Sequence, residues 1–459
     1  MKRATAARPE STARREWLLK RGHTISYAGL FLFTAILYFR PYELIPAFSF
    51  LATAAYWVAI FTIVVFLPTQ FALEGNLTTR PREVNLIVPL CLVALLTMPF
   101  AISPADAWKM FNETYVKVVL MFIVMVNVVR TQFRLKALIL LLLAVTFVLS
   151  VAAVNDYRLG HLPVEGYRVQ GLIGGMFGNP NDLALHLVTM TPLAVALYFG
   201  TRNIFKKILY AACVLLFVGA NIVTYSRGGF LGLMCVAGVM VWKLGREKRF
   251  TAGVLSLVVG GIFIALAPGN YGLRILSIFD SSLDAHGTGT MRDALLAASV
   301  KTAIFNPFFG VGMDNYHIMS IRELVSHNAY TQVATELGIP ALIIYIMFML
   351  APLRRLRRVE SETFDARRGS RFYYLAVGLQ AAIIGYMVSS FFVSVAYQWY
   401  VYYLVGFAVC LRRIYKTTDE AAVPAAAESE ITAAADDAAK KETGRRSRFA
   451  ARTGAVQAR

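Results

Sequence analysis

Residues 114–154 read TYVKVVLMFIVMVNVVRTQFRLKALILLLLAVTFVLSVAAV, two apolar runs parted by a short segment that carries Arg130, Arg134 and Lys136. A helix needs roughly 20 apolar residues to cross the hydrocarbon of a bilayer, and each run comes close to that length. Charges between two such runs belong in water, and Lys and Arg are retained on the cytoplasmic side. The stretch therefore reads as two membrane spans joined by a cytoplasmic loop.

The same pattern continues in both directions. Of the 459 residues 57% are apolar and 16% charged, and the mean hydropathy is +0.57, more apolar surface than a water-soluble chain of this size could bury. The expected fold is all-α, a polytopic transmembrane helical bundle of about 12 spans. The expected spans are 25–47, 49–68, 84–102, 114–130, 136–154, 182–200, 208–226, 229–244, 251–268, 328–350, 372–393 and 395–411.

Charge sets the orientation. Lys2, Arg3, Arg8, Arg14, Arg15, Lys20 and Arg21 precede the first run, so residues 1–24 form a basic cytoplasmic segment, and the first run reads as a retained span rather than a cleaved signal. Every second loop is then basic: Arg80 and Arg82; Arg130, Arg134 and Lys136; Arg202, Lys206 and Lys207; Lys243, Arg246, Lys248 and Arg249; Arg354, Arg355, Arg357 and Arg358. Both termini are expected in the cytoplasm, and the transmembrane domain is expected over residues 25–411.

The opposite face offers two long loops, about 155–181 and 268–327, where function is expected. In the second, Leu295, Leu296, Val300 and Ile304 recur at helical spacing among Arg292, Asp293 and Lys301, the signature of an amphipathic helix on the membrane surface or over the bundle. Asn306-Pro307 and Gly310-Val311-Gly312 end it before Asp314. Residues 412–459, a cytoplasmic tail rich in Ala, Glu and Lys, read as disordered or transiently helical and carry no assigned chemistry.

The net charge of +19 does not indicate nucleic acid, because the basic residues fall in clusters between apolar runs and follow topology. Cys91, Cys213, Cys235 and Cys410 all lie in apolar runs, which argues against a disulfide framework. No phosphate loop, no paired aspartates in the outer loops and no metal-binding Cys/His spacing occur, so neither metal nor cofactor is expected. A phosphate-bearing substrate would be held by arginine, whose planar fork grips phosphate bidentately.

Basic residues on the outer face run against the charge rule, and these are Arg40, Lys109, Arg158, Arg168, Arg227, Arg274, Arg292, Lys301 and Arg322. Arg227 lies in Tyr225-Ser226-Arg227-Gly228-Gly229, a tight turn whose glycines permit close approach of a backbone or ligand. The plainer reading is an arginine snorkelling to lipid phosphate. His286, His317 and His327 belong to the second loop or its junction with the tenth span, and a histidine there can take a proton from a hydroxyl or simply hold a hydrogen bond. Glu336 follows His327 by nine residues, about 13 Å along a continuous helix and on the opposite side, so it needs another partner. Asp182 and His186, one turn apart, pose the same problem and are candidates for that role.

Taken together, Gly178-Asn179-Pro180-Asn181, Tyr225-Ser226-Arg227-Gly228-Gly229, Asn306-Pro307 with Gly310-Val311-Gly312, and His327-Asn328-Ala329-Tyr330 with Glu336-Leu337-Gly338 resemble the bacterial O-antigen ligase and polymerase superfamily. The resemblance covers about residues 25–411. It implies a metal-independent, inverting transfer of a glycan from undecaprenyl pyrophosphate to an acceptor hydroxyl at the periplasmic face. By the same resemblance Arg227 and Arg292 hold the pyrophosphate and His327 is the catalytic base or positions the acceptor, with Asn328, Tyr330, Glu336, Asn179 and Asp314 in support. The acceptor is lipid A-core in ligases, a growing glycan in polymerases and a protein hydroxyl in O-oligosaccharyltransferases, and these motifs do not separate the three. A polysaccharide or lipid transporter is the alternative of a different class; such proteins place polar sites near the bilayer midplane and show internal repeats, neither of which the sequence displays.

Overall fold

The computed structural model describes residues 21–246, 250, 253–254, 260–261, 271–276, 288–367 and 370–418. The basic segment before Arg21, most of the expected span 251–268, His286 and the tail beyond 418 lie outside the described residues. The chain divides into a bundle reaching Arg412 and a C-terminal segment from Arg413. Of that segment the described residues are helical.

The described helices of nine residues or more, in order, are α1 (Thr24–Phe39), α2 (Pro46–Glu74), α3 (Arg82–Phe100), α4 (Pro104–Val128), α5 (Gln132–Leu159), α6 (Pro180–Phe199), α7 (Ile204–Val223), α8 (Arg227–Leu244), α9 (Thr288–Phe305), α10 (Ala329–Leu337), α11 (Ile339–Glu362), α12 (Arg371–Phe392) and α13 (399–418). Among the described residues there is no β-strand, only an isolated bridge between Val164 and Arg168. Nine of these helices, α2 to α8 with α11 and α12, are long and apolar enough to cross a membrane.

Of the expected dozen, 251–268 lies mostly outside the described residues, and the first and last helices fall outside the nine for reasons of length and charge. The first helix is 16 residues long and ends where Arg40 takes a left-handed conformation, φ 41°. The last carries Arg412, Arg413 and Lys416 in its second half. The expected span 328–350 is two helices, because Gly338 (φ 87°, ψ 168°) interrupts the helical path between α10 and α11. A Cβ at Gly338 would lie 2.4 Å from the Phe308 carbonyl oxygen, a close approach only glycine permits. The Ile339 amide donates to the Pro307 carbonyl at 2.8 Å, and Val311 and Gly312 donate to the carbonyls of Thr335 and Glu336 at 2.8 and 3.0 Å. The end of the second long loop is thus stitched by backbone to the break.

Helix α6 is buried along nearly its whole length and packs against α7, α8 and α12. The close contacts use small residues, as expected where lipid supplies no hydrophobic drive between helices: Gly229 lies on Ala184, and Gly378 on Ala196 and Pro192.

Ion pairs gather at one end of the bundle. Glu83, fully buried at the start of α3, faces Arg355 at 3.2 Å and Arg412 at 3.6 Å. Glu360, at the end of α11, pairs with Lys243 at 2.5 Å and Arg246 at 3.3 Å. Arg130 meets Glu74 at 2.9 Å and His23 at 3.2 Å, while Lys136 lies within electrostatic reach of Lys206 and Arg371. The basic clusters that alternate along the sequence therefore share an end. Lys243 is 16 residues from Arg227, about 24 Å along the same helix, so the YSRGG turn belongs to the other end.

Candidate active site

At that other end the two long loops meet. A cleft of about 360 Å³ is lined by Glu165, Arg168, Asn179 and Asn181 from the first and by Arg292, Arg322 and His327 from the second. Three arginines against one glutamate make it electropositive. The first residues of α6 and the first turns of α9 lie in its wall, and His327 stands two residues before α10.

His327 is half-buried and left-handed at φ 50°, and among the described residues no hydrogen bond engages its imidazole. Burial first, and then the charge of Arg292, lower its pKa to about 4. The ring is neutral at pH 7, with a lone pair available to a hydroxyl. The residues around it fix the backbone that carries it. The Asn328 side chain caps α10, accepting from the amides of Tyr330 and Thr331 at 2.9 and 3.1 Å. Ser326 Oγ donates to the Asn328 carbonyl at 3.0 Å, and the Tyr330 hydroxyl donates to the Met387 carbonyl of α12 at 2.7 Å. Asn328 and Tyr330 thus hold the start of α10, two residues after His327.

Glu336 lies at the far end of α10, buried, and accepts from the Asp314 amide at 3.0 Å. This contact helps hold Asp314 at φ 58°, and burial raises the Asp314 carboxyl above the ordinary range. Glu336 is therefore met by the Asp314 backbone, with the Tyr316 backbone and the Tyr397 side chain also beside it. His186 serves elsewhere: its Nε2 lies 2.9 Å from Thr146 Oγ1, among the rings of Tyr38, Phe177 and Tyr400.

Arg227 begins α8 and is not among the residues lining the cleft. The space beside its glycines is filled by protein, since a Cβ at Gly228 would lie 2.7 Å from Phe392 and one at Gly229 2.6 Å from Ala184. Its turn is nevertheless joined to the cleft wall. Ser226 Oγ caps α8, accepting from the Gly229 amide at 3.2 Å, and donates to Asn181 Oδ1 at 2.8 Å. The same Oδ1 accepts from Arg168 Nη2 at 2.9 Å. Asn179 caps α6 through the Asn181 amide at 2.8 Å. Arg168 and Asn181 were not among the site residues the sequence singled out; the available signal was that Arg168 is an outer-face arginine and Asn181 the end of the GNPN motif.

Non-glycine residues with positive φ concentrate here. Glu165, Arg322 and His327 line the cleft, and Tyr225 and Asp314 belong to the segments just described. Such conformations cost on the order of 1–3 kcal/mol each and persist where surrounding structure enforces them, commonly at functional sites.

Residues 211–346 match the family model described as O-antigen ligase. The resemblance to the O-antigen ligase superfamily is borne out. Arg227, Arg292, Asp314, His327, Asn328, Tyr330 and Glu336 all lie inside the O-antigen ligase match, whereas Arg168, Asn179 and Asn181 precede it. A comparison with curated proteins gives no match. The matched stretch is thus similar to O-antigen ligases, and nine of the described helices are long and apolar enough to cross a membrane.

Proposed function

We propose that the protein transfers a glycan from undecaprenyl pyrophosphate to an acceptor hydroxyl at the periplasmic face of the inner membrane. One observation carries the reading: His327 and Arg292, from segments 35 residues apart, line a single electropositive cleft where both long loops meet.

In this reading the donor's pyrophosphate enters the cleft and meets the guanidinium of Arg292, while Arg227 engages it from the neighbouring turn. Neutralising the phosphates stabilises the charge that grows on the departing oxygen. His327, neutral at physiological pH, accepts or orients the proton of the acceptor hydroxyl as its oxygen attacks the anomeric carbon from the face opposite the pyrophosphate. The new glycosidic bond forms as the carbon–oxygen bond to phosphate breaks, the configuration inverts, and polyprenyl pyrophosphate leaves with both electrons of that bond. The proton ends on the imidazole and passes to water. A base of this kind contributes typically about 10²–10⁴-fold.

The test is reconstitution of purified protein in proteoliposomes with a lipid-pyrophosphate-linked oligosaccharide and a panel of acceptors: lipid A-core, free glycan and a Ser-containing protein. Release of polyprenyl pyrophosphate coupled to a labelled acceptor supports transfer, and the acceptor labelled identifies the branch of the superfamily. Movement of intact donor across the bilayer with no bond broken would make the protein a transporter.

A further inference from the structure

Arg168 is 3% exposed, and its hydrogen bonds tie three separate chain segments together. Nε donates to the Thr224 carbonyl at 2.9 Å, Nη2 to Asn181 Oδ1 at 2.9 Å, and Nη1 faces Glu165 Oε1 at 3.4 Å. Asn181, 7% exposed, accepts on the same oxygen from Ser226. Between Thr224 and Ser226, Tyr225 is held at φ 50° with its ring among Tyr157, Tyr167 and Tyr271, and the Ser226 amide donates back to Thr224 Oγ1 at 3.2 Å. The turn that delivers Arg227 to the start of α8 is therefore strained, and it is gripped by a guanidinium and a carboxamide belonging to the first long loop.

We infer that Arg168 and Asn181 are positioning residues, a clamp that fixes the Thr224–Ser226 turn and thereby sets Arg227 relative to the cleft. A planar fork suits the task, since one guanidinium reaches a carbonyl, a carboxamide and a carboxylate in a single plane, and lysine's single ammonium cannot. The clamp also links the GNPN motif to the YSRGG motif: Asn181 serves both Arg168 and Ser226, so neither motif is set independently of the other. The inference rests on the proposed function only in naming pyrophosphate as the group that Arg227 meets.

The experiment uses full-length protein purified in nanodiscs, with Arg168→Lys, Asn181→Ala, Asn181→Asp and Arg227→Ala, alone and combined. Two readouts separate the clamp from the function. Amide hydrogen exchange over residues 222–230 reports the turn whatever the protein binds, and it should quicken in Arg168→Lys and Asn181→Ala but not in Asn181→Asp, which keeps an acceptor oxygen for both donors. Binding and turnover of a polyprenyl-pyrophosphate glycan report Arg227. Donor KM should rise by about tenfold or more in Arg168→Lys with kcat largely kept, a split that partial misfolding would not give. In the Arg227→Ala background the same change should add little. Unchanged exchange in Arg168→Lys overturns the clamp. Quickened exchange with unchanged donor KM, or a full additional loss in the Arg227→Ala background, overturns its service to Arg227. A wild-type protein that neither binds nor turns over the donor overturns the pyrophosphate assignment, and the exchange result then stands alone for or against the clamp.

Discussion

Arg292 lies close enough to His327 for its charge to add to burial in lowering the imidazole pKa to about 4, although one belongs to an amphipathic helix and the other to the approach of α10. The same cation that would attract a phosphate adds, after burial, to what disfavours protonation of the imidazole beside it.

A pH dependence follows. The pKa falls below the ordinary 6.5, so the base is intact above about pH 4 and is lost as pH drops through that value. The acid limb of kcat/KM, which reports the free enzyme, should sit well below 6.5. Arg292→Gln removes the smaller of the two causes and should move that limb upward without bringing it to 6.5, because burial remains. An acid limb at 6.5 in the wild type, unmoved by Arg292→Gln, would separate His327 from the titration.

Arg227→Lys keeps a positive charge and loses the bidentate fork. Transfer at limiting donor should fall by about tenfold or more, with expression and membrane insertion normal. Turnover equal to wild type at limiting donor would exclude recognition of phosphate by that fork.

Both long loops line one cleft, and the basic clusters gather at the other end of the bundle. Cysteines placed at the exposed His161 and Met319 should react with a membrane-impermeant thiol reagent in cells with a permeabilised outer membrane, and a cysteine at Arg357 should react only after lysis. The reverse labelling pattern would invert the proposed topology.

Stability at the ion-pair end can be assayed independently of chemistry. Removing Glu83 leaves Arg355 and Arg412 without their shared counter-charge, and breaking a buried pair costs about 3–5 kcal/mol. Glu83→Ala should therefore unfold at clearly lower temperature than wild type in detergent, read by tryptophan fluorescence, whereas substituting the exposed Arg357 should change little. Equal melting of the two variants would remove Glu83 from the frame.

The helices were legible in the sequence because lipid imposes a strong pattern: long apolar runs, with charge confined to their ends. The amphipathic stretch with Leu295, Val300 and Ile304 was legible by the same periodicity and is the helix Thr288–Phe305. The break at Gly338 was not read, although Gly338-Ile339-Pro340 interrupts the run 328–350, because the contacts that hold it come from the backbone of Pro307 and Phe308, distant in sequence. Arg292 was found as a basic residue on the expected outer face and His327 as a histidine where the second long loop meets a span, but their meeting in one cleft depends on how a long loop folds back. Arg168 and Asn181 were missed because their roles are relational: each is defined by bonds to Thr224 and Ser226, some fifty residues away, which leave no periodic trace.

The most direct measurement is glycan transfer by purified His327→Ala beside wild type, with donor affinity measured on the same preparations. The account predicts a loss of about 100-fold or more in transfer, donor affinity near wild type, and a much smaller effect for His317→Ala. Transfer by His327→Ala at more than about a tenth of the wild-type rate would contradict it and leave His327 a structural residue of the cleft wall.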